Sequence, residues 1–510
     1  MNKPSPAIHN DGRDKDDEGV SASVWRYAKA TRVHVVIDAA DYFDLMQDAM
    51  LAARQQILMI GWDFDTRIRL GGGRRWWNLP RKGRFPARFG AFIVWLVRER
   101  ETLQVRVLKW NFGALKFVLR GTMIMDLFRW WRQPRIDFKF DSAHPIGCSH
   151  HQKIVVIDDK FAVCGGIDMT SDRWDTPEHA EDDPRRRRPN GKPYGPWHDV
   201  TMMIEGPAAC ALGDLGRARW ATAGGAALAA CDPQPESPWP EKLKAELSDV
   251  EIGISRTRAA YGKAPEVAEI EELFAVHIAR AKRFIYAESQ YFASRRIAEA
   301  IAMRVAEPDP PEIVLINPLS AEGWLEQAAM DGARVRLMHA IGERDHQRRC
   351  RIFVPHAAHG TPIYVHAKLM IVDDEILRVG SANMNNRSMG LDTECDVFVD
   401  AARPGNAHAA ASITGLRQTL LAEHCGLERS EVSGLLEKHG SMIAMIEALA
   451  QLNSRQGKRL EPFALRPLAD AEKAVADNGL LDPERPGELF EPIGGKRGLF
   501  RRGGILRRPR

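Results

Sequence analysis

The chain has no run of apolar residues near the roughly 20 that cross a bilayer, although 44% of its 510 residues are hydrophobic. The longest stretch, Phe89 to Val97, stops at Arg98-Glu99-Arg100 and reads as a buried helix. The N-terminus lacks the basic start and apolar stretch of a signal peptide and carries Asp11, Asp14, Asp16, Asp17 and Glu18 instead. Signal-peptide secretion is therefore not expected. The seven cysteines include no C-x-x-C pair, and an odd, scattered set argues against a disulfide framework and for a reducing compartment. Net charge is only +4, too small to point to nucleic acid by itself.

What is present is a repeat. Tyr42 to Arg54 reads as an amphipathic helix leading into a strand at Ile57–Ile60, and Val267 to Lys282 leads likewise into Phe284–Tyr286. In the second helix Val267, Ile270, Phe274 and Ile278 share one face. Further strands are expected at Val105–Leu108 and Ile313–Ile316. Helices alternating with short β-branched strands imply an α/β fold.

A stronger match follows at one constant offset. His151-Gln-Lys153-Ile-Val-Val-Ile-Asp158-Asp159 recurs 215 residues later as His366-Ala-Lys368-Leu-Met-Ile-Val-Asp373-Asp374. Gly165-Gly166-Ile-Asp168-Met169 lies over Gly380-Ser381-Ala-Asn383-Met384 in the same register. A repeat of this length implies two homologous halves about a pseudo-twofold axis. The expected division is a disordered lead over 1–24, a first half over 25–250, a second over 251–425, and a helical accessory region with a basic tail over 426–510.

His and Lys at i and i+2 on a strand project from one face, so both reach one ligand. Each Asp is followed after six residues by Gly-Gly or Gly-Ser, backbone that can approach an anion closely. Two halves meeting at one pocket would supply two imidazoles and two ammonium groups, a set suited to phosphoryl transfer without metal or cofactor. One neutral His attacks phosphorus, its protonated partner donates to the leaving oxygen, and Lys153, Lys368 and Asn383 hold the non-bridging oxygens. A lone H-x-K is commonplace; two copies with matched Asp and glycine positions are not. Asp158 and Asp373 lie on the opposite face, so a structural and a catalytic role stand equal for them.

These residues resemble the phospholipase D superfamily, marked by H-x-K-x4-D, six residues, then G-G/S-x-N. The second copy fits completely. The first departs at Asp168, as eukaryotic-type phospholipases D do. Resemblance to that subgroup extends through Gly165–Asp175, Pro196-Trp-His-Asp-Val200, Glu205-Gly-Pro207, Glu288-Ser-Gln-Tyr-Phe292 and Ile363-Tyr-Val-His366, over roughly residues 30 to 425. It implies a bilobed fold of two packed β-sheets flanked by helices and a two-step ping-pong reaction through a phosphohistidine. His151 would be nucleophile and His366 acid, then base, with the opposite order open. Catalytic residues would be His151, Lys153, Asp158, His366, Lys368, Asp373 and Glu394; phosphate would meet Gly165, Gly166, Asp168, Ser381 and Asn383. Glu394 looks like the carboxylate that orients an imidazole in the second half. The same offset in the first half lands on His179, leaving Asp175 and Glu178 as candidates. Residues before Trp25 are too few for a lipid- or calcium-binding module, so calcium dependence is not expected and a bacterial-type minimal enzyme is.

Arg74-Arg75-Trp76-Trp77, Phe128-Arg-Trp-Trp-Arg132 and Leu499-Phe-Arg-Arg502 mix aromatics with cations as at headgroup depth, and Trp pairs equally suit a core. The run Arg185–Arg188 would overhang the mouth and hold anionic lipid or stay solvated. The expected partners are a phospholipid surface and a water or primary-alcohol acceptor, with no nucleic acid, for a monomer that is cytoplasmic or peripheral on a membrane, export without a signal peptide remaining open. The leading expectation is hydrolysis of phosphatidylcholine or phosphatidylethanolamine to phosphatidic acid. A cardiolipin synthase type phosphatidyltransferase comes second, a nuclease of the superfamily third, and a non-enzymatic scaffold last, since both His-Lys pairs are intact.

Overall fold

In a computed structural model, β-branched runs become strands and the segments between them become helices. The structure describes residues 22–73, 85–111, 121–321, 324–452 and 457–465. Most of the expected lead, the Arg74–Trp77 segment and the Leu499–Arg502 segment lie outside these.

The first half contributes β1 (Arg26–Ile37), β2 (Gln56–Gly61), β3 (Gln104–Trp110), β4 (Ile136–Asp141), β5 (Ile154–Ile157), β6 (Phe161–Gly165), β7 (Trp197–His198) and β8 (Val200–Glu205). The second contributes β9 (Leu247–Arg258), β10 (Val267–Ala268), β11 (Phe284–Ser289), β12 (Glu312–Ile316), β13 (Cys350–His356) and β14 (Tyr364–Val365). It continues with β15 (Lys368–Val372), β16 (Ile376–Gly380), β17 (Glu394–Asp400) and β18 (Arg459–Pro462).

Apart from the short β7·β14 pair, all of these strands join one sheet, ordered β4-β3-β2-β5-β6-β8-β1-β9-β17-β16-β15-β11-β12-β13-β18, with β10 off the path on β9. Outward from the antiparallel β1·β9 seam, the two halves repeat each other strand for strand as far as β4 and β13, with β18 added beyond β13. The two halves, each with a mixed sheet flanked by helices as expected, thus meet edge to edge in one continuous sheet. Parallel pairs at β2·β3·β4 and β11·β12·β13 need crossover helices, while the β5·β6 and β15·β16 hairpins do not.

Helices cover both faces. On one, α1 (Ala39–Ala52), α2 (Phe89–Glu99) and α3 (Thr122–Trp131) bury the first half's core, with Phe43, Met46, Phe92 and Trp130 against Met59 and Val107. The same face of the second half carries α5 (Glu269–Arg280), α6 (Arg295–Val305) and α7 (Trp324–Gly342). On the opposite face, α4 (Pro207–Thr222), α9 (Ala409–Cys425), α10 (Arg429–His439) and α11 (Met442–Leu452) share a core that runs unbroken across the seam. Strands buried on both sides read as continuous apolar runs, as Ile154–Ile157 and Leu369–Val372 do. The short α8 (Asn386–Gly390) lies between β16 and β17, capped by Asn385 on the Ser388 N–H.

Candidate active site

Both histidine motifs lie just before or at the start of the inner hairpins, where the C-terminal ends of β2 and β11 also arrive. The two motif segments are tied to the opposite half by backbone hydrogen bonds. His151 N–H donates to Thr393 O at 2.9 Å, and His366 N–H donates to His198 O at 2.8 Å. Each imidazole is therefore held against the other half of the chain.

The carboxylates cross the same way. His151 Nδ1 lies 3.0 and 3.1 Å from the Glu394 oxygens. His366 Nδ1 lies 2.7 Å from Asp199 Oδ2. Glu394 begins β17 and Asp199 immediately precedes β8, equivalent places in the two halves. The first-half partner is thus Asp199, correcting Asp175 and Glu178, and Glu394 serves the histidine of the opposite half. A constant offset missed Asp199 because the connection 166–199 is longer than its counterpart 381–393. Its place in the quoted Pro196–Val200 motif was the available signal.

Glu394 also accepts hydrogen bonds from Ser381 Oγ at 2.5 Å and Ser388 Oγ at 2.7 Å. Ser381 thereby positions Glu394. Burial pushes the Glu394 carboxyl up to about 8, against the pull of Lys153 and the two hydroxyls. Asp199, also buried, is pushed up to about 6, with Lys368 and Arg173 opposing. Where the carboxylate is ionised, the facing Nδ1 carries the proton and Nε2 keeps its lone pair for the cleft.

Burial, with Lys153 and Lys368 nearby, holds the His151 imidazole well below its ordinary value. His366 is depressed in the same way by burial, Lys368 and Arg173. Burial also lowers Lys368 to about 7. Without an anion in the cleft, the site resists carrying four positive groups at once. Lys153 Nζ lies 3.4 Å from Asp168 Oδ2 and donates to His151 O at 2.9 Å. Lys368 Nζ donates to Gln290 Oε1 at 3.3 Å and to His366 O.

Asp168 accepts the Trp62 N–H at 3.1 Å besides facing Lys153, so this anion holds a cation of the site. The glycines are explained by packing. A Cβ on Gly165 would meet Thr201 at 2.4 Å, one on Gly166 Asp199 Oδ1 at 2.0 Å, and one on Gly380 Asp396 Oδ1 at 1.9 Å. The Asn383 side-chain oxygen is buried with no hydrogen-bond partner.

Asp158 and Asp373 belong to turns. Asp158, Asp159, Asp373 and Asp374 all have left-handed φ between 51° and 60°, as a primed hairpin turn requires. The Asp158 carboxylate accepts the N–H groups of Arg54, Gln55 and Gln56, and Asp373 accepts those of Lys282, Arg283 and Phe284. Their place among the catalytic residues is corrected: each carboxylate anchors the start of β2 or β11 at the end of its strand remote from the histidine.

Sequence reasoning also missed the surrounding aromatics. Trp197 stacks on Tyr364 at 4.6 Å and lies 5.2 Å from the His366 ring, with the Arg173 guanidinium 4.3 Å from the Trp197 ring centre. Trp62 meets His151 edge-on at 6.5 Å. The Arg185–Arg188 run is mostly engaged within its own loop: Arg186 is buried on Asp175, Arg185 pairs with Asp183 and Arg188 with Asp172.

Behind the Pro196–Val200 segment, Asp38, His179, His198 and Glu423 bring one ligand atom each to within 4.8 Å of one another, and His198, Glu288 and His424 do the same. All are buried and face one another: His198 Nδ1 lies 2.8 Å from Glu423 Oε1 and 3.3 Å from Asp38 Oδ1, and His179 Nε2 lies 3.6 Å from Asp38 Oδ2. Against the pull of burial, the facing carboxylates hold His179 up to about 9 and His198 well above its ordinary value, so these pairs brace the segment that carries Trp197 and Asp199.

Two stretches, residues 132–299 and 343–471, match the family model described as Phospholipase D, more than half of the chain together. The chain belongs to the phospholipase D family. Among curated relatives, phospholipase D alpha 1 of Nicotiana tabacum is 26% identical over 396 residues, 55% of this chain and 49% of the relative. Phospholipase D alpha 1 of Brassica oleracea var. capitata is 26% identical over 535 residues, 74% and 63% of the two chains. This phospholipase D family chain spans about half to two thirds of the length of these relatives. A solved phosphatidylserine synthase from Haemophilus influenzae is similar at 12% identity and a TM-score of 0.49, covering 84% of this chain and 96% of its own. Among the described residues no helix is long and apolar enough to cross a membrane.

Proposed function

We propose that the protein is a phospholipase D that cleaves the headgroup ester of phosphatidylcholine or phosphatidylethanolamine and passes the phosphatidyl group to water or a primary alcohol. One observation carries this reading: each catalytic imidazole is held on Nδ1 by a carboxylate of the opposite half, so both Nε2 atoms are left for one cleft that also contains Lys153 and Lys368. His151 keeps 15% of its side chain exposed against 6% for His366, which favours His151 as nucleophile.

In the first step His151 Nε2 bonds to phosphorus as the bond to the headgroup oxygen breaks, and a proton from His366 Nε2 goes to that oxygen. In the second, His366 takes the proton of water or alcohol, whose oxygen displaces His151 from phosphorus. The anionic diester favours protonation of His366, which the empty site disfavours. Lys153, Lys368 and Asn383 are assigned to the non-bridging oxygens, where charge develops.

The test is incubation with vesicles of either lipid and ethanol, scoring phosphatidylethanol and phosphatidic acid by mass spectrometry, with His151→Ala and His366→Ala in parallel. Product is expected from wild type alone. Cardiolipin from added phosphatidylglycerol, or DNA cleavage, in place of these products would overturn the assignment.

A further inference from the structure

Helix α3 has two unlike sides. Inward, Met123, Asp126 and Trp130 are buried; Trp130 packs on Phe89 and Phe138 and donates to Gly90 O at 2.9 Å, while Asp126 takes Arg88. Outward, Ile124, Met125, Phe128 and Trp131 are 51%, 58%, 54% and 78% exposed. Four large apolar side chains left in water on one short, firmly anchored helix mark an interaction surface.

The charge beside them chooses the partner. Arg98 from the end of α2 joins Arg129 and Arg132 around Phe128 and Gln133 in a groove of about 490 Å³. The Arg132 guanidinium lies 5.8 Å from the Phe128 ring centre. The one carboxylate of α3, Asp126, is turned inward and paired with Arg88 at 2.6 Å, and Arg129, 56% exposed, touches it only at 3.4 Å. What faces outward is therefore apolar and cationic, with the aromatics beside the guanidinium groups. That composition complements a bilayer interface, where rings sit at the headgroup–acyl boundary and arginines meet phosphates.

The N-terminal end of α3 also borders a second groove. Thr122, the first residue of α3, lines a larger groove of about 1220 Å³ that passes Arg88 and reaches Thr170 and Ser171, just beyond Asp168.

We infer that the outer face of α3 docks on a phospholipid bilayer containing anionic lipid. Phe128 and Trp131 enter the headgroup–acyl boundary, and Arg98, Arg129 and Arg132 hold lipid phosphates. The inference rests on the reading of the site as acting on phospholipid, and adds how the protein reaches that substrate.

Co-sedimentation with phosphatidylcholine vesicles, plain or doped with phosphatidylglycerol, tests it on wild type, Phe128→Ser/Trp131→Ser and Arg98→Gln/Arg129→Gln/Arg132→Gln. These side chains are exposed, so the fold is expected to persist, checked by circular dichroism. Binding of wild type to doped vesicles is expected to fall by about tenfold or more in either variant. Turnover of a short-chain phosphatidylcholine kept below its micellar concentration is expected to be unchanged. Equal vesicle binding by wild type and variants would overturn the inference, as would a wild type that ignores vesicles and self-associates through this face. Vesicle binding with no turnover of either lipid form would instead sink the phospholipase reading and leave the docking face standing.

Discussion

At the residue scale, a carboxylate decides which nitrogen of each imidazole is reactive. Glu394 ionises near 8 and Asp199 near 6, both raised by burial, so each reaches its anionic form only as pH climbs through its own value. Protonated, Glu394 cannot hold the N–H on His151 Nδ1, and the nucleophilic Nε2 loses its lone pair. The expected profile of kcat/KM therefore has a rising step near pH 8. Glu394→Gln should remove that step and lower the rate by roughly 10²–10⁴. A profile with no inflection near 8 in wild type would refute this role for Glu394.

The residue types of the site were readable because H-x-K on a strand has a fixed geometric meaning and occurred twice. The crossing of the carboxylates was not. Which histidine a glutamate meets depends on how the halves are joined, and a repeat in one dimension carries no statement about the seam. Asp199 was hidden for a simpler reason, the longer loop ahead of it. The glycines could not be assigned from sequence because an anion and a neighbouring strand both demand a missing Cβ, and at Gly165 and Gly380 Thr201 and Asp396 make that demand.

At the element scale, the two inner hairpins depend on their Asp-Asp turns. Each first aspartate tolerates left-handed φ and accepts three backbone N–H groups from the segment ahead of β2 or β11. Asp158→Ala or Asp373→Ala should cost about 1–3 kcal/mol in denaturant unfolding, through orphaned amides and a strained φ. Turnover per folded molecule should stay within about twofold, because neither carboxylate touches the cleft. Loss of turnover without loss of stability would return them to the chemistry. Helices α1 and α5 and strands β2 and β11 were legible from their periodicity. The first residue of the shared face expected for α5, Val267, instead belongs to β10, where pairing with Arg258 overrides the helical pattern. Strand β18 has no comparable signal: Arg459–Pro462 is short and polar, and only the free edge of β13 makes it a strand.

At the scale of the whole molecule, β1 and β9 join the halves through a continuous antiparallel ladder, and one core crosses it. The halves are therefore expected to unfold as one unit, giving a single calorimetric transition. Gly253 lies in this ladder, where a Cβ would meet the Phe398 ring at 2.2 Å. Gly253→Val should lower that transition by about 1–3 kcal/mol without splitting it. Two separate transitions in wild type would show that the seam does not couple them.

The crossed carboxylates make each half the keeper of the other's chemistry: a half standing alone would hold a histidine whose carboxylate lies elsewhere. Aspartate stands behind one imidazole and glutamate behind the other, Asp168 in one half answers Asn383 in the other, and a lesion in either half silences a histidine encoded in its neighbour.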